Sequence, residues 1–153
     1  DTSQAITMRG MSYMSKFNGD ISKWDTSNVR DMTNMFAYSP FRQNISQWNT
    51  SKVRHFDGLF DHCSFNGDLR KWRVPLQLMA DSIFDKEVSL FNMPFSPFVA
   101  LHALLYPHSV ERHLAWYSFF HHTMPLIKSL NLTIAEQANA LYDAYSALNN
   151  TNH

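Results

Sequence analysis

The residues FNGDISKW, beginning at Phe17, return as FRQNISQW at Phe41 and as FNGDLRKW at Phe65, so the phrase recurs every 24 residues. Phe17, Phe41 and Phe65 form one series of equivalent positions, Ile21, Ile45 and Leu69 a second, and Trp24, Trp48 and Trp72 a third. Between residues 17–40 and 41–64, 9 of 24 positions are identical, and replacements such as Met32 by Phe56 and Met35 by Leu59 stay apolar. A fixed period of this length marks a stacked array, in which one unit buries too little apolar surface alone and each covers its neighbour.

The register reaches both ways from the phrase. DTSQAITMRGM at Asp1 aligns with DTSNVRDMTNM at Asp25, so the chain opens in mid-repeat. A solenoid ordinarily begins at a polar cap, and the expectation is a piece of a longer protein with repeats before it. Further on, Ile83 and Phe84 take the places of Leu59 and Phe60. FNMPFSPF, Phe91 to Phe98, reads as a last degenerate strand turn, with Pro94 and Pro97 suited to an edge.

Each unit divides into two local patterns. DISKW, bounded by NG and DTS, suits a short strand between turns. VRDMTNMF places Val29, Met32, Met35 and Phe36 on one face of a short helix, with Ser27 and Ser51 as N-cap residues for it and its counterpart. The expected fold is an α/β repeat solenoid over residues 1–98, parallel short strands on one side and short helices on the other, capped by an α-helical segment over residues 99–153.

FNGDISKWDTSNVRDMTNMF resembles the BspA-like leucine-rich repeat, with its FNxDIxxWDxSxVxxMxxMF pattern. The resemblance covers residues 1–72 well and 73–98 weakly, and does not reach 99–153. The third unit departs from it, WRVPL standing where WDTSNV stood. The resemblance implies adhesion or protein recognition rather than chemistry: its members are mostly bacterial or protist surface proteins, with some secreted effectors of Gram-negative enteric pathogens.

The C-terminal segment is helical in pattern. VALHALLY is apolar nearly all round, which implies burial. SVERHLAWYSFFHH starts at Ser109, an N-cap residue after Pro107. TIAEQANALYDAYSAL carries a capping box, Thr133 with Glu136, and a stripe of Ile134, Ala138, Leu141, Tyr142, Tyr145 and Leu148. Three or four helices covering the apolar end of the array is the plain reading; a small effector or docking domain is the sharper one.

Chemistry is scarce. Cys63 is the single cysteine, aligned with Ser39 and Ser15 as one of a ladder of small residues, and no internal disulfide is possible. A ubiquitin-ligase cysteine is absent from residues 99–153. Eight histidines, densest at His121-His122 and at His108 with His113, form no H-E-x-x-H pattern, so no metal and no cofactor are expected. The 13 basic and 13 acidic residues balance, which argues against nucleic acid, and no apolar run reaches a membrane span.

What remains is the polar part of the strands. Ser22 and Lys23 align with Ser46 and Gln47 and then with Arg70 and Lys71, varying while the apolar frame holds. These six form the candidate partner-binding face, because rigid repeat surfaces bind partners through such positions. The expected function is recognition of another protein, one of a host, by a monomeric secreted bacterial effector. A bacterial surface adhesin, an enzyme with its site in residues 99–153, and a purely structural array are the alternatives.

Overall fold

The computed structural model describes residues 1–76, 83–84, 93–110 and 114–151. Residues 1–24, 25–48 and 49–72 form three successive coils, here coil 1, coil 2 and coil 3, stacked so that each residue lies against the one 24 positions on. Phe17, Phe41 and Phe65 stack with centroids 6.4 and 6.3 Å apart. Trp24, Trp48 and Trp72 do the same at 6.4 and 6.3 Å. Phe36 bridges the columns, 3.9 Å from Phe41 and 5.9 Å from Phe60, and Phe84 continues the Phe36–Phe60 column at 5.5 Å.

The coils are made of turns. No strand and no sheet form among the described residues, and the backbone pairings between coils are isolated parallel bridges, Thr7 with Asp31, Asp31 with His55, and Phe60 with Phe84. The expected α/β solenoid of parallel strands and short helices is therefore not the fold. DISKW fails as a strand because its acidic residue turns the chain: Asp20, Asn44 and Asp68 each accept the amide two residues on, at 2.9 Å, in an Asx turn. The next amides close β-turns, Trp24 to Ile21, Trp48 to Ile45 and Trp72 to Leu69.

VRDMTNMF fails as a helix for a different reason. A helix sends every amide to the carbonyl four residues back. Here alternate amides leave the coil: those of Met32, Asn34, Phe36 and Tyr38 donate to the carbonyls of His55, Asp57, Leu59 and Asp61. The intervening Met35 and Ala37 amides close local turns onto Met32 and Asn34. This course needs left-handed residues at fixed places, and the chain puts Gly10, Asn34 and Gly58 at one and Met14, Tyr38 and His62 at the other, all with φ between 51° and 65°. Ser27 and Ser51 cap nothing; their own amides are bound by Asp25 and Asn49.

Among the described residues three α-helices follow, α1 (Pro97–Leu105), α2 (Leu114–Lys128) and α3 (Ile134–Thr151), with a 3-10 turn at Pro107–Val110. The expected strand turn at Phe91–Phe98 lies partly outside the described residues, and its end is helical instead. Ser96 caps α1 through the Val99 amide at 3.2 Å, and Pro97 occupies the first turn, where its missing amide costs nothing. Ser109 falls inside the 3-10 turn rather than at the start of α2. The Thr133–Glu136 capping box forms in both directions, at 3.1 and 3.2 Å. Ala138 and Leu141 of the expected α3 stripe are fully buried, whereas Leu148 is exposed.

The helices meet the stack through aromatic edges. Phe98 stands edge-on to Phe56 and Trp72, at 5.1 and 6.0 Å. Asn139 of α3 grips the Val74 backbone at both its N–H and its carbonyl, at 3.3 and 3.0 Å. Arg73 pairs with Asp143 at 2.7 Å and lies over the Tyr142 ring.

Candidate functional site

The repeated Asx turns put the six candidate residues on one corner of the stack. Ser22 with Lys23, Ser46 with Gln47, and Arg70 with Lys71 occupy the two central places of successive β-turns, not the face of a sheet. Lys23, Gln47, Arg70 and Lys71 are exposed, Ser22 and Ser46 half-buried. Hydrogen bonds within the turns lower the pKa of two of the chain's turn carboxylates. Asp20 is lowered from its ordinary pKa by the Ser22 amide, and Asp25 by the Ser27 hydroxyl and amide.

The third corner is cross-linked more heavily. Arg70 grips its own Asx residue through two bonds, Nε to Asp68 Oδ1 at 3.0 Å and a terminal nitrogen to Oδ2 at 2.8 Å. That fork holds the Asp68 carboxyl below its usual value and raises the Arg70 guanidinium above its own. Lys71 Nζ donates to Gln47 Oε1 at 3.0 Å, tying coil 3 to coil 2 across the corner.

Lys71 also borders a cleft of about 410 Å³ on the same side of the molecule. Trp48, Val53, Val74 and Pro75, all buried, supply its apolar wall, and Leu76 stands exposed at its edge. Arg54, Lys71 and Arg73 line it, Arg73 paired with Asp143 at 2.7 Å, and no carboxylate is among its described lining residues. Arg54 is held by the carbonyls of Ser51 and Val53, at 3.0 and 3.2 Å. In a chain whose charges balance overall, this is a local cationic surface over an apolar wall.

Of the six expected residues, the cleft brings in Lys71 alone. Arg54 and Arg73 were not among them. Arg54 had a signal, since Arg30 precedes it by one period. Arg73 had another, standing where the first two units carry Asp25 and Asn49.

Cys63 is half-buried between coils, its thiol donating to the Phe41 carbonyl at 3.2 Å, and burial pushes its pKa up. That burial favours the unreactive thiol. Among the described residues no group of three or more His, Cys, Asp or Glu side chains could hold a metal ion. No helix among them is long and apolar enough to cross a membrane.

A family model described as a Mycoplasma protein of unknown function, DUF285, matches residues 1–98. This corrects the resemblance drawn from residues 17–36: the family whose model matches is not a BspA-like leucine-rich repeat, and the coils lack the strands such a repeat requires. No curated protein and no solved structure matches the chain.

Proposed function

This chain belongs to the DUF285 family, and from that premise we propose that it is a recognition module for another protein, which docks at the cationic cleft beside the row of turns. The single observation that carries this reading is the cleft itself: three cationic side chains around an apolar wall, with no carboxylate among its described lining residues, beside stacked aromatic columns. Side chains fixed by the fold lose little entropy on binding, and Arg54, Lys71 and Arg73 are each already held by a neighbour. The partner segment that complements them is acidic with apolar residues between its charges. Binding rather than catalysis fits the single thiol, which is held away from its reactive form.

The biological setting belongs to the same proposal: a bacterial chain, secreted as an effector, that meets a protein of its host. The test is affinity capture from host-cell lysate with the wild-type chain beside the double variant Arg54→Glu, Lys71→Glu, which leaves the Arg73–Asp143 pair in place. A protein retained by the wild type, lost from the variant and released by moderate salt supports the reading. Equal retention by both chains places binding elsewhere and ends the proposal for this cleft.

A further inference from the structure

One threonine recurs in each coil, Thr2, Thr26 and Thr50, and the first two are tied into the stack. Thr2 Oγ1 donates to the Asp25 carbonyl at 3.1 Å and accepts the Asp25 amide at 2.8 Å, and Thr26 Oγ1 donates to the Asn49 carbonyl at 2.9 Å. The next bond of the series would run from Thr50 to the Arg73 carbonyl, and the Thr50 hydroxyl makes neither that bond nor another among the described residues. The cause is the departure from the repeat after Trp72. The chain reads Arg73-Val74-Pro75 where the earlier units read Asp-Thr-Ser and Asn-Thr-Ser, and Asn139 of α3 holds the Val74 backbone.

Thr50 is nonetheless only 9% exposed. A hydroxyl buried to that degree without a partner carries a desolvation cost. It is not sealed inside the protein, and Thr50 lines the cleft, so a group that enters the cleft is what can pair with it.

The same cleft offers two cations that make no ion pair among the described residues. Arg73 is paired with Asp143. Arg54 spends one terminal nitrogen on the carbonyls of Ser51 and Val53, which leaves Nε and the other terminal nitrogen, a complete bidentate edge, unbonded among the described residues. Lys71 Nζ is bonded to the neutral Gln47 amide. Asp68, whose charge reaches Lys71, is already answered by the Arg70 fork.

We propose, resting on the reading of this cleft as a protein-docking site, that the group it seats is a phosphorylated side chain of the partner. Its phosphoryl oxygens accept from Arg54, Lys71 and the Thr50 hydroxyl, while neighbouring apolar residues of the partner cover Val53 and Val74. A carboxylate brings a single negative charge, whereas a phosphomonoester brings about −1.5 to −2 at pH 7 and three acceptor oxygens. Two unpaired cations, a guanidinium edge and a free hydroxyl match the phosphomonoester. A phosphodiester, with one charge and two free oxygens, leaves a cation and a donor unanswered.

The probes are phenyl phosphate and benzoate, titrated into the full chain and followed through the backbone amide signals of Thr50, Arg54 and Lys71. Phenyl phosphate is expected to bind at least about tenfold more tightly than benzoate. Thr50→Val keeps the shape and removes the hydroxyl. It is expected to weaken phenyl phosphate about tenfold and to leave the urea midpoint unchanged or higher, because that hydroxyl makes no bond within the described fold. Thr50→Ser is expected to bind like the wild type. Thr26→Val, which loses a bonded hydroxyl, is expected to lower the midpoint and leave binding unchanged. Benzoate binding as tightly as phenyl phosphate overturns the proposal, as does wild-type affinity in Thr50→Val or the absence of any shift at the three amides. Phosphatase treatment of the lysate separates this inference from the reading beneath it. A partner that the Arg54→Glu, Lys71→Glu variant loses, and that the wild type still retains after phosphatase, leaves the docking cleft standing and ends the phosphate proposal. A partner lost in both arms supports it.

Discussion

Replacing Trp48 by alanine tests the stacked column directly. Trp48 is 4% exposed, sandwiched between Trp24 at 6.4 Å and Trp72 at 6.3 Å, with Phe36 at 6.2 Å. Truncating a buried aromatic costs about 3–5 kcal/mol, because transfer free energy is lost and the cavity closes only in part. The indole also donates to the Ile21 carbonyl at 3.0 Å, and although that carbonyl keeps the Trp24 amide, losing the bond adds about 1 kcal/mol. The expected loss is therefore about 4–6 kcal/mol, a large share of a typical domain's stability. Trp24→Ala removes the same side chain from a half-buried position, with no indole acceptor among the described residues, and is expected to cost about half as much. Trp48→Phe keeps the stack and loses the N–H, at about 1–2 kcal/mol. Urea unfolding followed by far-ultraviolet circular dichroism reads all three without depending on tryptophan fluorescence. The reasoning fails if Trp48→Ala and Trp24→Ala cost the same, or if Trp48→Ala costs less than Trp48→Phe.

Gly58→Ala and Gly10→Ala separate backbone strain from crowding, since both glycines are left-handed, at φ 65° and 64°. A methyl at Gly58 meets Asn34 Oδ1 whereas one at Gly10 meets open space, so Gly10→Ala is expected to cost the left-handed penalty of about 1–2 kcal/mol and Gly58→Ala clearly more, read as urea midpoints. Thr133→Ala breaks the α3 capping box and is expected to cost about 1 kcal/mol, while Glu136→Gln, which keeps a capping side chain, is expected to cost less by the same measurement. Asp68 has a folded-state pKa below its unfolded value, so its contribution is present above the ordinary carboxylate range and is lost as pH falls through the lower folded value. Midpoints measured from pH 7 down into that acid window are expected to fall less steeply for Asp68→Asn than for the wild type; parallel curves would show that the Arg70–Asp68 fork does not stabilise the fold.

The period was readable because it is written in apolar residues, whose burial constrains them at every turn of the stack. Phe17, Phe41 and Phe65, and Trp24, Trp48 and Trp72, recur because each ring is the floor of the one before. The secondary structure was misread because two local signals have more than one solution. Val29, Met32, Met35 and Phe36 at near-helical spacing also suit a turn-rich coil once Asn34 and Tyr38 turn left-handed. Asn in place of Gly hides that requirement, and only the equivalence of Asn34 with Gly10 and Gly58 reveals it. The α3 cap was readable because its chemistry is local, needing only Thr133 and Glu136 three residues apart.

The proposed binding surface was half-visible for a reason that also explains how the stack ends. Asp25 and Asn49 each turn the chain by accepting the amide two residues on. At the third equivalent place stands Arg73, which accepts nothing. The turn grammar stops there, and Val74, with no coil amide or carbonyl answering it among the described residues, is taken instead by the Asn139 side chain of α3. Arg73 is freed to reach Asp143 and to line the cleft beside Lys71. The same departure from the repeat thus docks the helical segment and completes the cationic surface. Arg73→Asp, which restores an Asx residue and removes the cation, is therefore expected to lower both the urea midpoint and partner retention in the capture assay. Arg54→Glu with Lys71→Glu, by contrast, leaves the Asn139 and Asp143 contacts of α3 in place and is expected to lose retention at the small stability cost of the Lys71–Gln47 and Arg54 bonds.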